Sequence, residues 1–360
     1  MTLTLSTAGE SHGPALVAIV GGLPAGLALD REAIDADLAR RQQGYGRSPR
    51  QQLEQDTVEV LAGLRQGRTL GTPLALVVRN RDHANWEWGM SPWPPEGEPS
   101  GKGVKPVTLP RPGHADLAGS LKYGLSDARD ALERASARQT AVAVAAGAVA
   151  KALLAQIEVD VLGRVVTEAL EQRIDEARAE RDTVGGVVEV RAHSVPPGLG
   201  SYATKEERLD ARLAAALMGI QAVKGVEVGA GFELAERRGS EAHDEIFADA
   251  DGTLYRETNH AGGLEGGVSN GEPVVVRAAM KPLPTLMKPL RSVDLETGEP
   301  GEALVERSDV AAVEALAVVA EAAVAFELAR AAREKFGGDA LGDFVGAWRA
   351  YLERIPWRTR

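Results

Sequence analysis

Two short segments set a histidine beside glycine, among groups that move protons or hold anions. In Gly9-Glu10-Ser11-His12-Gly13, glycine on both sides opens backbone conformations closed to other residues and lets a ligand approach the main chain closely. His12 therefore reads as presented to something, with a tight turn as the plain alternative. In Arg111-Pro112-Gly113-His114-Ala115-Asp116, proline fixes a turn and glycine frees it. There His114 and Asp116 can orient each other while Arg111 holds an oxyanion; an exposed loop histidine is the alternative. Imidazole changes charge near neutral pH, which suits both residues to general acid–base work.

Cations and anion-binding loops recur along the chain. Residues 40–50 carry Arg40, Arg41, Arg47 and Arg50 with no acid among them, and residues 277–291 carry Arg277, Lys281, Lys288 and Arg291, again with none. On a chain of formal net charge −11, two such islands point to a local anion site rather than a general basic surface. In Glu133-Arg134-Ala135-Ser136-Ala137-Arg138, the i,i+4 spacing would project Arg134 and Arg138 from one helix face, with small residues between them that admit a planar ring. Such arginines need an anionic partner, either a ligand or an internal carboxylate such as Glu133 or Asp130. Arg307-Ser308-Asp309 reads as a helix start with Ser308 or Asp309 as N-cap. Residues Asn259 to Gly271 hold five glycines in thirteen positions, leaving backbone amides to line a phosphate-bearing group. A strand then leads to Lys281-Pro282-Leu283-Pro284-Thr285, where a cation and a hydroxyl meet the same ligand.

The elements that position these residues show in the hydrophobic pattern. Pro14 to Val20, Pro73 to Val78, Gly186 to Val190 and Pro273 to Ala279 are short β-branched runs bounded by Gly, Pro or Asn, and read as strands. Ser126 to Gln156 and Ser308 to Phe336 are long, Ala-rich and proline-free, and read as helices whose middles, such as Ala141 to Ala150 and Ala311 to Ala325, are apolar almost all round, buried between other layers. Strand and helix do not alternate regularly. The expected fold is therefore α+β, a layered β-α-β sandwich with buried Ala-rich helices between antiparallel sheets, in one domain spanning 1–360. Gly21-Gly22-Leu23-Pro24-Ala25-Gly26-Leu27 echoes His193-Ser194-Val195-Pro196-Pro197-Gly198-Leu199, which points to an internal duplication. Asn85 to Lys105 and Glu168 to Arg181 read as excursions from the core.

Composition removes several function classes. The 360 residues are 44% hydrophobic and include no cysteine, which excludes disulfides, thiolate catalysis and Cys-ligated metal; no metal site is expected. No signal-peptide pattern opens the chain and no run approaches the ~20 apolar residues of a membrane span, so a cytoplasmic enzyme with no membrane partner is expected. With aromatics at 4% and the charge at −11, an RNA-binding module lacks both stacking platforms and a positive surface. Gly9 to Gly13 also fits G-x-S-x-G, the serine-hydrolase elbow with Ser11 as nucleophile. That elbow needs a helix after it, whereas Pro14 to Val20 reads as a strand.

Taken in order, Gly9 to Gly13, Arg40-Arg41-Gln42-Gln43-Gly44-Tyr45-Gly46-Arg47, Arg111 to Asp116, Ser136-Ala137-Arg138, Gly262-Gly263-Leu264-Glu265-Gly266-Gly267, Lys281 to Thr285 and Arg307-Ser308-Asp309 closely resemble the chorismate synthase family. The resemblance spans nearly the whole chain. It implies a 1,4-anti elimination of phosphate from 5-enolpyruvylshikimate 3-phosphate to give chorismate, the last step of the shikimate pathway. It also implies reduced FMN without net redox change, supplied by an external NAD(P)H-dependent reductase because no reductase domain is attached. By the same resemblance His12 protonates the leaving phosphate, His114 protonates or steadies the anionic reduced flavin, and Asp309 draws the flavin N5 proton. Ser11, Arg41, Arg47, Arg50, Arg111 and Arg138 fall on substrate positions. Arg134, Ala135, Ser136, Gln221, Ala222, Gly266, Lys281, Pro282, Leu283, Pro284, Thr285 and Arg307 fall on FMN positions, and Arg41 and Arg47 also on positions linked to NADPH. Family members are typically homotetramers with no nucleic-acid partner. Departures are Gly21-Gly22 where an acidic residue usually precedes glycine, Gln221 for a common asparagine, and a short segment from Val161 to Thr183.

Overall fold

A computed structural model of the chain describes residues 2–47, 55–305 and 309–357. The first four-stranded sheet comprises β1 (Thr4–Ala8), β2 (Ala15–Gly21), β3 (Val58–Ala62) and β4 (Leu74–Arg79), in the order β1-β2-β4-β3. The second comprises β5 (Asp160–Val165), β6 (Gly186–His193), β7 (Val223–Val228) and β8 (Val274–Met280), in the order β5-β6-β8-β7. All these pairings are antiparallel. Strand alternation shows in β2, where Leu16, Ala18 and Val20 are fully buried while Ile19 faces out. The four strands read from sequence all form.

Eight α-helices of seven or more residues lie among the described residues: α1 (Arg31–Gln42), α2 (Asp116–Tyr123), α3 (Arg129–Ala135), α4 (Thr140–Leu154), α5 (Leu170–Glu180), α6 (Leu209–Met218), α7 (Val313–Phe336) and α8 (Leu341–Leu352). The fold is α+β. Helix α4 packs on β1, β2 and β4 and on α7; α7 in turn packs on β5, β6 and β8. Neighbours on both sides explain why the middles of both helices are apolar nearly all round. They cross at Gly147, where a Cβ would lie 2.3 Å from that of Ala322. At the same level Glu321, 1% exposed, accepts hydrogen bonds from Arg40, Lys151 and the Gly163 main chain, tying α7 to α1, α4 and β5.

Residues 129–157 include an 18-residue window of mean hydropathy 1.7, so on composition this run is apolar enough to cross a membrane, contrary to the expectation of no such run. In the fold 72% of the window is buried inside the protein. The run is also broken: α3 ends at Ala135, Ser136 is extended (φ −61°, ψ 141°), and its hydroxyl accepts from the Arg138 N–H to start the next helical piece. Helix α7 starts at Val313 rather than Ser308. The Val310 N–H donates to Gly46 O and Val310 O accepts from Val184 N, which holds the preceding chain extended.

The echo seen in sequence has a structural counterpart after β2 and after β6. Gly22 and Ser194 have φ of 80° and 58°, and Gly26 and Gly198 have φ of 90° and 93°. Pro24 O accepts from Thr69 Oγ1 as Pro196 O accepts from Ser269 Oγ; the same hydroxyls accept from the Leu27 and Leu199 N–H groups. Both sheets share the same strand order and the same turn.

Candidate active site

A cavity of about 650 Å³ opens where the two halves meet. The β1–β2 turn contributes Ser11 and His12, the last turn of α1 Arg41, the segment after it Arg47, and the 111–115 turn Arg111 and His114. The α3–α4 junction adds Ala135, Ser136 and Arg138. From the second half come Gln221, Ala222, Lys224, Lys281, Leu283, Pro284, Thr285 and Asp309. Leu132, Met218, Ile220, Leu316 and Val319 supply apolar wall.

His12 is held on three sides. Its Nδ1 lies 2.8 Å from Glu133 Oε1, and its main-chain N–H donates to Glu133 Oε2 at 2.8 Å. Glu133 is 1% exposed. Trp86 stacks on the imidazole with ring centroids 3.9 Å apart and planes 20° off parallel, and the Arg129 guanidinium lies 5.1 Å from the indole centroid. Asn80 donates to the carbonyls of Glu10 and Gly13, fixing the turn itself.

His114 is organised differently. Its Nδ1 lies 2.5 Å from Asp116 Oδ1, but Asp116 also accepts from the Arg111 main chain, Nε and Nη2. Burial alone would raise the Asp116 carboxyl, yet hydrogen bonds from His114 and Arg111 hold it well below the usual carboxylate range. Arg111 Nη1 reaches Thr285 Oγ1 at 3.0 Å. The mutual orientation of His114 and Asp116 read from sequence is present, and Arg111 faces the cavity already committed to Asp116.

The remaining arginines are backed by carboxylates. Asp56 pairs with Arg138 at 2.7 Å and Arg41 at 3.4 Å, and Asp309 pairs with Arg47 at 2.9 Å. Burial, reinforced by Arg138 and Arg47 against the pull of Asp56, brings the Arg41 guanidinium down to about 10. Lys281 is lowered by burial and by Lys224 beside it. Like charges gathered at one cavity wall suit a multiply anionic ligand. Ala222 keeps φ at +69°, where a side chain is strained, beside the register shift between β7 and β8.

Not every residue read from sequence reaches the cavity wall. Arg134 and Arg138 do not share a helix face, because Ser136 breaks the helix. Arg134 donates to the Thr7 and Gly9 carbonyls, while Arg138 turns to Asp56 and Asn80. Glu133, read as their internal partner, serves His12 instead. Pro282 lines a smaller neighbouring hollow. Gly266 sits in the turn of the Leu264–Ser269 hairpin, facing open space. Of the basic islands, Arg40 pairs with Asp37 and Glu321 and Arg277 with Glu189, away from the cavity. Arg50 and Arg307 lie outside the described residues. Asp309 is not an N-cap, since α7 begins four residues later. Trp86, Glu133, Asp56 and Lys224 join the site without a local sequence pattern that marks them.

The serine-hydrolase arrangement is absent at Ser11. The turn is followed by strand β2 rather than a helix, the His12 imidazole is turned to Glu133, and the Ser11 hydroxyl accepts from Ser136 Oγ at 3.2 Å.

Comparison with known proteins decides the family. A sequence model of chorismate synthase matches residues 3–168 and 165–332. The chain belongs to the chorismate synthase family. Chorismate synthase of Desulforudis audaxviator is 54% identical over 97% of both chains, and that of Rubrobacter xylanophilus is 53% identical over all of this chain and 99% of its own. A crystal structure of chorismate synthase, 37% identical, superposes with a TM-score of 0.78 over 99% of each chain. The activity is accordingly that of a lyase: phosphate is eliminated from 5-enolpyruvylshikimate 3-phosphate to give chorismate, the closing step of the shikimate pathway.

Proposed function

We propose that the elimination takes place in the cavity between the two halves, with reduced FMN as the resident cofactor and His12 and His114 as the proton-moving groups. The observation that carries this reading is the convergence of both histidines, four arginines and two lysines on one cavity with an apolar wall. A substrate with two carboxylates and a phosphate calls for such a set of cations. The donor set also fits a flavin: Leu132, Met218, Ile220 and Leu316 offer a surface for an apolar ring system, and Lys224, Lys281 and Thr285 offer a cation pair and a hydroxyl for its phosphate. Reduced FMN, when bound, supplies electron density to a substrate whose departing hydrogen is too weakly acidic for a side-chain base alone.

The protein residues then divide the remaining work. Arg41, Arg47 and Arg138 bind the substrate anions, with Arg50 and Ser11 assigned to the same ligand. Imidazolium His12 gives its Nε2 proton to a phosphate oxygen as the C–O bond breaks, and keeps its Nδ1 proton toward Glu133. His114, backed by Asp116, steadies negative charge on the flavin side, where Ala135, Ser136, Gln221, Ala222, Leu283 and Pro284 form the wall. Asp309, which pairs with Arg47, is the carboxylate we assign to take a proton there.

In architecture we read one domain, a β-α-β layered sandwich of duplicated origin, as the shared strand order and turn support. A homotetramer in the cytoplasm, supplied with reduced flavin by a separate reductase, completes the reading. The test is turnover under anaerobic conditions with substrate and chemically reduced FMN. Chorismate and phosphate are expected in equal amounts, with none from NAD(P)H plus oxidised FMN alone. No product with reduced FMN overturns the reading.

A further inference from the structure

His12 is constrained by two neighbours that do different jobs. Trp86, stacked at 3.9 Å, fixes the plane of the imidazole. Stacking is blind to a half-turn about Cβ–Cγ, which keeps the plane but exchanges the Nδ1 and Cδ2 edges. Only a directional partner can choose between the two. Glu133 is that partner, and both of its oxygens are engaged by the same residue: Oε2 accepts the His12 main-chain N–H and Oε1 faces Nδ1, each at 2.8 Å. Among the described residues, the Arg129 guanidinium stands farther off, 3.8 Å from Oε1. A carboxylate only accepts, so Nδ1 must carry a proton, and proton exchange with the cavity falls to Nε2.

We infer that Glu133 is the positioning residue of the reaction, fixing His12 as the Nδ1–H tautomer with Nε2 directed to proton transfer. The inference rests on the proposed acid role of His12 for its catalytic consequence, but not for the tautomer. A carboxamide at this position cannot replace the carboxylate, because one of its two ends donates. With the Gln oxygen on the main-chain N–H, its NH2 group faces Nδ1 and forces the proton to Nε2, the wrong tautomer for accepting and returning a proton there.

The test uses the full chain labelled with ¹⁵N-histidine, recorded at a pH where the imidazole is neutral, with the His12 signal assigned by its loss in His12→Ala. The parent is expected to show a protonated Nδ1 and an unprotonated Nε2. Glu133→Gln is expected to reverse that pattern and to lower kcat by about 10²-fold or more with KM nearly unchanged. Glu133→Asp, which keeps two acceptors, is expected to restore the parent tautomer and part of kcat. A parent protonated at Nε2 overturns the inference without any variant, whether or not Glu133→Gln folds. So does a Glu133→Gln protein that keeps the parent tautomer. Reversal of the tautomer with kcat unchanged leaves Glu133 in its positioning place and instead removes His12 from the acid role, so the two readings fail separately.

Discussion

The two histidines sit in one cavity but are built to different plans. Glu133 gives both oxygens to His12, and an indole covers the ring. Asp116 is divided between His114 and Arg111, and its three hydrogen bonds from the arginine do not run through the histidine. The first arrangement controls one ring's edge and plane. The second spreads one negative charge over a neighbouring cation and an imidazole, which makes His114 part of an electrostatic surface more than an isolated acid. Carboxylate support can therefore orient a proton donor or balance a cationic wall, and the number of donors sharing it shows which.

The largest effect is expected at the histidines themselves. His12→Ala is expected to lower kcat by about 10²–10⁴-fold with the fold retained, as judged by near-UV circular dichroism alongside steady-state rates. Activity equal to the parent would remove His12 from proton transfer. The supporting carboxylates should separate in stability. Asp116→Ala leaves the buried Arg111 guanidinium without its main partner and should cost about 3 kcal/mol or more in denaturant unfolding. His114→Ala, which leaves the Arg111–Asp116 pair intact, should cost about 1 kcal/mol.

The same carboxylate sets an acid limb. The Asp116 carboxyl is depressed in the folded chain, so its stabilisation is present above the unfolded value of about 3.9 and is lost as pH falls below it. Asp116→Asn should flatten the stability–pH slope in that window; an unchanged slope would show that other carboxylates dominate it. The smallest effect is expected at the aromatic roof. Trp86→Leu removes the stack but leaves Glu133 in place, a loss of about 0.5–1.5 kcal/mol, or about 2- to 13-fold in kcat. A loss as large as that of His12→Ala would mean that plane, and not edge, is the controlling constraint.

Much of this arrangement is legible before any coordinates. The all-round apolar stretch Ala141–Ala150 can only be a helix covered on both sides, and the glycines flanking His12 mark a presented residue. His114 and Asp116 declare each other by spacing. What stays hidden is contact over long separation: Glu133 lies 121 residues from His12, and Asp56 82 from Arg138. Neither carboxylate carries a local pattern that names its partner. Trp86 sits in a Pro- and Gly-rich stretch that reads as an excursion, yet the indole is only 6% exposed because the loop folds its ring onto His12. The helix break at Ser136 did have a signal, a serine able to cap a new turn, but the unbroken apolar and small-residue run outweighed it. The true start of α7 depends on main-chain bonds to residues 46 and 184, which no helix rule contains.

Gly147 lies about two turns along α4 from Thr140, and Ala322 about one turn along α7 from Val319; Thr140 and Val319 both line the cavity. Because the helices touch at a missing side chain, a single methyl there would act as a wedge. Prying α4 from α7 would tilt Leu316 and Val319 away from the cavity and stretch the Lys151–Glu321 pair that joins the same two helices. The shape of the cavity's apolar wall thus depends on a crossing outside it, and that crossing is where a distant substitution would reshape the site without changing any residue that lines it.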